Sequence, residues 1–269
     1  VSNLVIPQIQ LHDRILVVCV DFSDKPAVIP ISTIYDRFFS TTDKSLRNYY
    51  VENSYGSFIP EGAVYGWYRA PHPYSYYVNN ENGFGNYPNN AQKLMEDVVE
   101  IIASKSEINL NYIDNDNNKN IDYLIIVHSG GEAAYTGNLT DMWAHVWEIN
   151  PTLRNGFIFQ YYAMLSEYME LPTDQQRIGV DCHEMGHLLG LADLYDYTEL
   201  SNGVGKYSLM SHGSWGNSGI TPVQLDAFSK YELGYTNTLV NQTGLLSLSN
   251  AESSNINYLY TTQNSSEYF

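Results

Sequence analysis

Cysteine is scarce in this chain, and so is positive charge. The 269 residues include only two cysteines, Cys19 and Cys182, too few for a disulfide framework. Cys19 sits in an apolar strand-like run and Cys182 just before His183, and both read as small buried thiols. Thirteen lysines and arginines face 30 aspartates and glutamates, a net charge of −17. No basic stripe occurs, which argues against nucleic acid as a partner, because phosphate contacts need clustered Lys and Arg. Long apolar runs are missing as well. The longest, such as Ile15–Val20 and Leu124–Val127, are strand-sized, far below the ~20 residues of a membrane span. Val1–Gln10 lacks the basic start and apolar stretch of a signal peptide. What the chain does have is a globular balance, 43% hydrophobic against 16% charged. Over this length that buries one large domain or two lobes around a cleft. The 24 tyrosines are spread along the sequence rather than gathered into a patch.

Hydrophobic patterning predicts strands over Arg14–Asp21, Ile121–His128 and the aromatic-rich Phe157–Leu165. It predicts helices over Ile31–Phe39 and Lys44–Glu52, the latter capped by Thr41, Thr42 or Asp43. The clearest amphipathic helix is Ala91–Ala103, with Ala91, Leu94, Met95, Val98, Val99 and Ile102 on one face and Asn89 or Asn90 as cap. Between Gly56 and Pro88, Gly, Pro, Asn and Tyr predict loops and short strands. Thr173 and Gln176 form a possible capping box for a helix running to Leu189. A last helix is signalled at Pro222–Leu233, with Thr221 as cap, Gln224 closing the box and Gly234 as the stop.

The helix ending at Leu189 carries the chemistry. Residues 183–193 read His-Glu-Met-Gly-His-Leu-Leu-Gly-Leu-Ala-Asp. On a helix, His183 and His187 lie one turn apart on one face and can reach one metal ion. Glu184 stands where its carboxylate can take a proton from water at that metal. Gly190 can end the helix and bring Asp193 round as a third ligand. Three protein ligands with a fourth position open describe a catalytic zinc rather than a closed structural one. Five fixed residues within eleven make two solvated histidines beside an ordinary glutamate a poor account. Met210 follows 17 residues after Asp193 in a Gly- and Ser-rich segment, where it could form an apolar floor beneath the ligands.

Together these features resemble the metzincin zinc metallopeptidases, and more narrowly the immune inhibitor A family of secreted bacterial metallopeptidases. The narrower likeness rests on Val20-Asp21-Phe22-Ser23-Asp24, on Ser45 to Gly56 with its Tyr-Tyr and Ser-Tyr-Gly, and on His183 to Asp196. It extends to Met210 with Gly213-Ser214-Trp215, and to Pro222–Gly234 with Lys230 and Leu233. It covers most of residues 14–235 and thins in 60–90 and after 236. The resemblance implies an α+β fold: a metzincin-like zincin catalytic domain, a twisted mixed sheet with a backing helix and an active-site helix, and a smaller C-terminal lobe. Residues 1–190 would form the upper lobe with the active-site helix, and 191–269 the lower lobe with the Met-turn and C-terminal helix. Ser265–Phe269 would then be a point inside a longer protein, secreted or extracellular, whose signal and any pro-segment lie outside this sequence.

Two departures from metzincins stand out. Asp193 occupies a position that is histidine in most of them, although the narrower family itself uses aspartate. Carboxylate oxygen is an acceptable zinc ligand, but its charge leaves a weaker Lewis acid than three histidines would. No tyrosine follows two residues after Met210; His212 is there. Tyr207 or His212 is then a candidate for oxyanion stabilisation, beside the plainer reading of a structural histidine. His145, flanked by apolar residues, reads as a satisfied core histidine. A second metal candidate is the loop of Asp114, Asp116, Asn118, Asn120 and Asp122, with oxygen-bearing side chains at alternating positions that suit calcium. It lacks the central glycine and the distant glutamate of an EF-hand, and the resembling chains carry an aspartate-rich loop here.

The expected function is zinc endopeptidase action on a protein or peptide substrate, with Glu184 as base and then acid. Two other readings are a zinc hydrolase of another amide bond, as in a glycan or cell-wall peptide, and a non-catalytic binding module on a zincin scaffold. Such modules typically lose the base or a ligand, and here all four residues are intact.

Overall fold

The stretch Ile-Leu-Val-Val-Cys-Val is apolar on both alternations, which only a strand covered on both faces can satisfy. In the computed structural model, which describes residues 14–42, 44–174, 177–198, 200–240, 245 and 247–259, it is the central strand β1 (Ile15–Asp21). Helices α1 (Ile31–Phe39) and α2 (Leu46–Asn53) follow, then β2 (Gly62–Arg69) and α3 (Tyr74–Val78). Next come α4 (Ala91–Ser104), α5 (Leu110–Ile113), β3 (Leu124–His128) and α6 (Ala133–Thr136). The hairpin β4 (His145–Arg154) and β5 (Phe157–Ser166) leads to α7 (Ile178–Leu188). After α7 the described chain holds two short 3-10 turns, α8 (Ala227–Glu232), β6 (Asn237–Val240) and β7 (Ile256–Leu259).

The main sheet has the order β2-β1-β3-β5-β4. Its first four strands are parallel and β4 pairs antiparallel with β5 at the edge. Ile15, Val17 and Cys19 point into a layer with α1, α2 and α7, while Leu16, Val18 and Val20 point into a layer with α3 and α4. The arrangement is therefore a mixed sheet between two helical layers. Strand β2 approaches β1 so closely that a Cβ on Gly62 would stand 2.0 Å from the Ile15 carbonyl oxygen, a space only glycine leaves. Cys19 and Cys182 are both buried and free, and burial pushes both thiols up. No helix among the described residues is long and apolar enough to cross a membrane.

Several expectations shift. Helix α2 is capped by Ser45, whose Oγ accepts from Asn48 N at 3.1 Å, not by Thr41 or Thr42; Asp43 lies outside the described residues. Helix α7 starts at Ile178 with no side-chain cap, so Thr173 does not cap it; Gln176 lies outside the described residues. The last helix begins at Ala227 instead of Pro222 because Val223 N is bound to Gly213 O and Leu225 N to Asn53 Oδ1. With those amides taken, residues 222–226 run along α2, and Asp226 caps the helix by accepting from Ser229 N. The ending Ser265–Phe269 lies outside the described residues.

Candidate active site

Beyond the end of α7 the chain turns at Gly190, whose φ of +96° is left-handed and favours glycine. The turn closes when Leu191 N donates to Gly186 O at 3.0 Å, and it brings Asp193 back beneath the helix. His183 Nε2 and His187 Nε2 are 3.1 Å apart, and Asp193 Oδ1 lies 3.1 and 3.3 Å from them. Each imidazole is oriented by its other nitrogen: His183 Nδ1 donates to Leu209 O at 2.9 Å and His187 Nδ1 to Leu191 O at 2.8 Å. A carbonyl only accepts, so both Nδ1 atoms carry a proton, and in the neutral ring each Nε2 presents its lone pair. Two nitrogen lone pairs and a carboxylate oxygen thus face one point, and Asp193 Oδ1 is buried with no hydrogen-bond donor. Such a cluster repels itself unless a cation joins it. For a metal held at ~2.0–2.1 Å, a tetrahedral edge is about 3.3 Å, close to the separations seen. Among the described residues this is the only group of three His, Cys, Asp or Glu side chains close enough to hold a metal ion.

The surroundings tune these groups. Burial opposes charge on His183 and His187, but Asp193 and Glu184 outweigh it and raise both, His187 to about 8, so a metal ion would compete with a proton for each Nε2 lone pair. Burial would raise Asp193, yet the two imidazoles that face it and the Tyr197 hydroxyl hold it well below the carboxylate range. Tyr197 donates to Asp193 Oδ2 at 2.5 Å. Glu184 is buried, and that burial raises its carboxyl despite the opposing histidines. Beneath the helix Met210 is fully buried; a Cβ on Gly186 would stand 2.5 Å from its sulfur. Leu194 N donates to Met210 O at 2.7 Å, linking this floor to the ligand turn.

The tyrosine-rich segment at α2 supports the helix from behind. Tyr50 OH donates to Cys182 O at 2.7 Å and Tyr49 OH to Val223 O at 2.8 Å. The face toward solvent opens into a cavity of about 570 Å³, walled by Ala134, Trp143, Ala144, Val180 and Trp215, with His212 on its lining. An adjoining cavity of about 410 Å³ reaches the head of β4 at His145 and Val146. Glu184 and Tyr195 line both. Tyr207, the other oxyanion candidate, is 73% exposed and lines neither. His145 is buried with its Nδ1 on Trp143 O, as a satisfied core histidine would be. Tyr195, Tyr197 and Glu132 escape sequence reasoning; for the tyrosines the signal available was their place two and four residues past Asp193.

The second metal candidate is differently built. Asp114 accepts from Lys119 N at 3.3 Å and from its ammonium at 3.1 Å. Asp116 accepts from Asn118 N and Asn118 Oδ1 from Asn120 N. Asp114, Asp116 and Asp122 do not converge as His183, His187 and Asp193 do.

Residues 28–243 match the family profile described as Immune inhibitor A peptidase M6, catalytic domain. Over 270 aligned residues the chain is 30% identical to the Pre-pro-metalloprotease PrtV of two strains of Vibrio cholerae serotype O1, covering 81% of this chain and 29% of that protein. It is 29% identical over 218 residues to Immune inhibitor A of Bacillus thuringiensis subsp. alesti, covering 70% of this chain and 31% of that one. The chain thus spans about three tenths of the length of these relatives.

Proposed function

The chain belongs to the immune inhibitor A peptidase family, M6, and from that premise we propose that it is a zinc-dependent endopeptidase acting on extracellular proteins. The observation that carries this reading is the convergence of three lone-pair donors, His183 Nε2, His187 Nε2 and Asp193 Oδ1, beside the buried carboxylate of Glu184 in an open cleft. Zinc held by those three residues would supply Lewis acidity, lowering the pKa of water and polarising a carbonyl. Glu184 takes the proton of the attacking water and passes it to the leaving amine, so one side chain serves as base and then acid. An extended peptide would pair with the outer edge of β4, where main-chain hydrogen bonds hold a substrate without reading its sequence. Of the two oxyanion candidates only His212 lines the cleft, and Tyr195 stacks on it with ring centroids 6.4 Å apart.

The cleft divides the chain near residue 190 into the proposed upper and lower lobes of a metzincin-like domain, with Met210 as the floor of its Met-turn. Both lobes share one core, in which Met210, Leu225 and Tyr235 pack with Tyr50 and Met185. The acidic composition and the secreted character that the family resemblance implies suit an extracellular setting. Calcium bound by Asp114, Asp116, Asn118, Asn120 and Asp122 would have to displace the Lys119 ammonium from Asp114. A calcium-dependent rise in Tm that Asp116→Asn abolishes is the observation that would carry it.

The test of the main reading is Glu184→Gln. Metal analysis should find zinc retained, while casein cleavage falls roughly 10²–10⁴-fold, the range of general acid–base catalysis. Substantial remaining cleavage would sink the assignment of Glu184.

A further inference from the structure

Glu132 is fully buried beside the cleft, and the reaction makes no use of it. It immediately precedes α6 and receives only hydrogen-bond donors. Oε1 accepts from Ala134 N at 3.1 Å and from Ala144 N at 3.0 Å, and Oε2 accepts from Ser166 Oγ at 3.1 Å. No lysine or arginine is among these partners. Burying a carboxylate on such terms is costly, and here burial pushes its pKa up to about 7.

The identity of its partners supplies the reason. Ala134 and Ala144 both wall the 570 Å³ cavity, and Ala144 is the residue before the edge strand β4. They belong to segments ten residues apart in sequence, and one oxygen atom holds both amides. The backbone continues the fastening: Glu132 N donates to Met169 O at 2.7 Å and Ala133 N to Met142 O at 3.1 Å. Val180, Trp143 and Trp215 line the same cavity, so beside its polar lining it offers an apolar patch with more room than an alanine side chain requires.

We propose that Glu132 is a positioning residue for substrate, whose carboxylate fixes Ala134 and Ala144 and thereby sets the cavity to receive a bulky apolar side chain of the bound peptide. This deepens the peptidase reading and rests on it. Gln at 132 keeps an oxygen for the two amides and turns its amide nitrogen to Ser166 Oγ, whereas Asp keeps the charge but is one methylene too short to reach both.

The test reads binding, not turnover. Zinc-loaded Glu184→Gln protein is titrated with peptides of one backbone carrying Ala, Leu or Phe at a single central position, followed by the fluorescence of the cavity-wall residues Trp143 and Trp215. The Phe peptide should bind about tenfold tighter than the Ala peptide, a difference typical of a pocket sensing added carbons. Adding Glu132→Asp or Glu132→Ala should weaken the Phe peptide about tenfold and flatten the series at unchanged zinc content, while Glu132→Gln stays within about threefold of its parent. Should Glu132→Ala not fold, Glu132→Asp against Glu132→Gln decides. A flat series in the parent overturns the proposal, as does an unaltered series in the Asp variant or a Gln variant as impaired as the Asp one. Casein digestion by the unmutated chain separately reports on the peptidase reading, so the two can fail apart.

Discussion

His128 closes β3 with no exposure; its Nδ1 is bonded to Ser129 O and its Nε2 has no partner. Burial pushes its pKa down to about 4, so the folded protein holds it neutral where an unfolded chain would protonate it. The contribution to stability is therefore complete above the unfolded value of ~6.5 and is lost as pH falls toward 4. His128→Phe removes this dependence. The stability difference between wild type and variant in urea unfolding should move against the wild type by about 3 kcal/mol from pH 8 to pH 4; a constant difference contradicts it. Tyr197 illustrates a different residue effect. Its hydroxyl orients Asp193, and loss of such an outer partner typically weakens metal binding ~10–100-fold. Tyr197→Phe should show that loss in a competition titration against a chelator. The ligands themselves were legible because all lie within eleven residues of one helix and its turn. Glu132 was not, because its role comes from two alanine amides that only the folded loops bring together.

At the scale of elements, α7 and the 212–219 segment are fitted almost backbone to backbone. Gly179 N donates to Gly219 O at 3.0 Å, and a Cβ on Gly179 would stand 2.0 Å from Ser214 O. A carbonyl cannot move aside as a side-chain tip can, so Gly179→Ala should cost about 3 kcal/mol and lower Tm by roughly 6–12 °C. A melt within 2 °C of wild type would show that the two segments separate more easily than their packing indicates. Strands β1 and β3 and helices α1, α4 and α7 were readable because their periodicity is strong and their faces uniform. Strand β4 was not: Pro151 lies within it, the register shifts between Glu148 and Thr152, and much of it is exposed. Edge strands tolerate such features because one side of the backbone needs no partner. The overlong last helix is the opposite error. Its capping signals were real, but long-range bonds from Gly213 and Asn53 claimed the first amides.

For the molecule as a whole, the net charge of −17 is a standing self-repulsion. Raising NaCl from 0.01 to 0.15 M shortens the screening length from ~30 Å to ~8 Å, and Tm should rise; a fall would mean that attractive ion pairs dominate. Chelating the metal should lower Tm and abolish cleavage together, because an ion bound only by the folded state stabilises it by mass action. The cleft is braced from behind by contacts of very long sequence separation: Leu225 on Asn53, Tyr49 on Val223, Lys230 on Tyr55. The proposed metal ligands, by contrast, are all present by residue 193. During ribosomal synthesis a nascent chain therefore carries its metal-binding motif well before it can build the cradle that aligns it. Loop closure of this length comes late in folding, so the proposed ligand cluster would gain its cradle only once the emerging chain has passed Lys230.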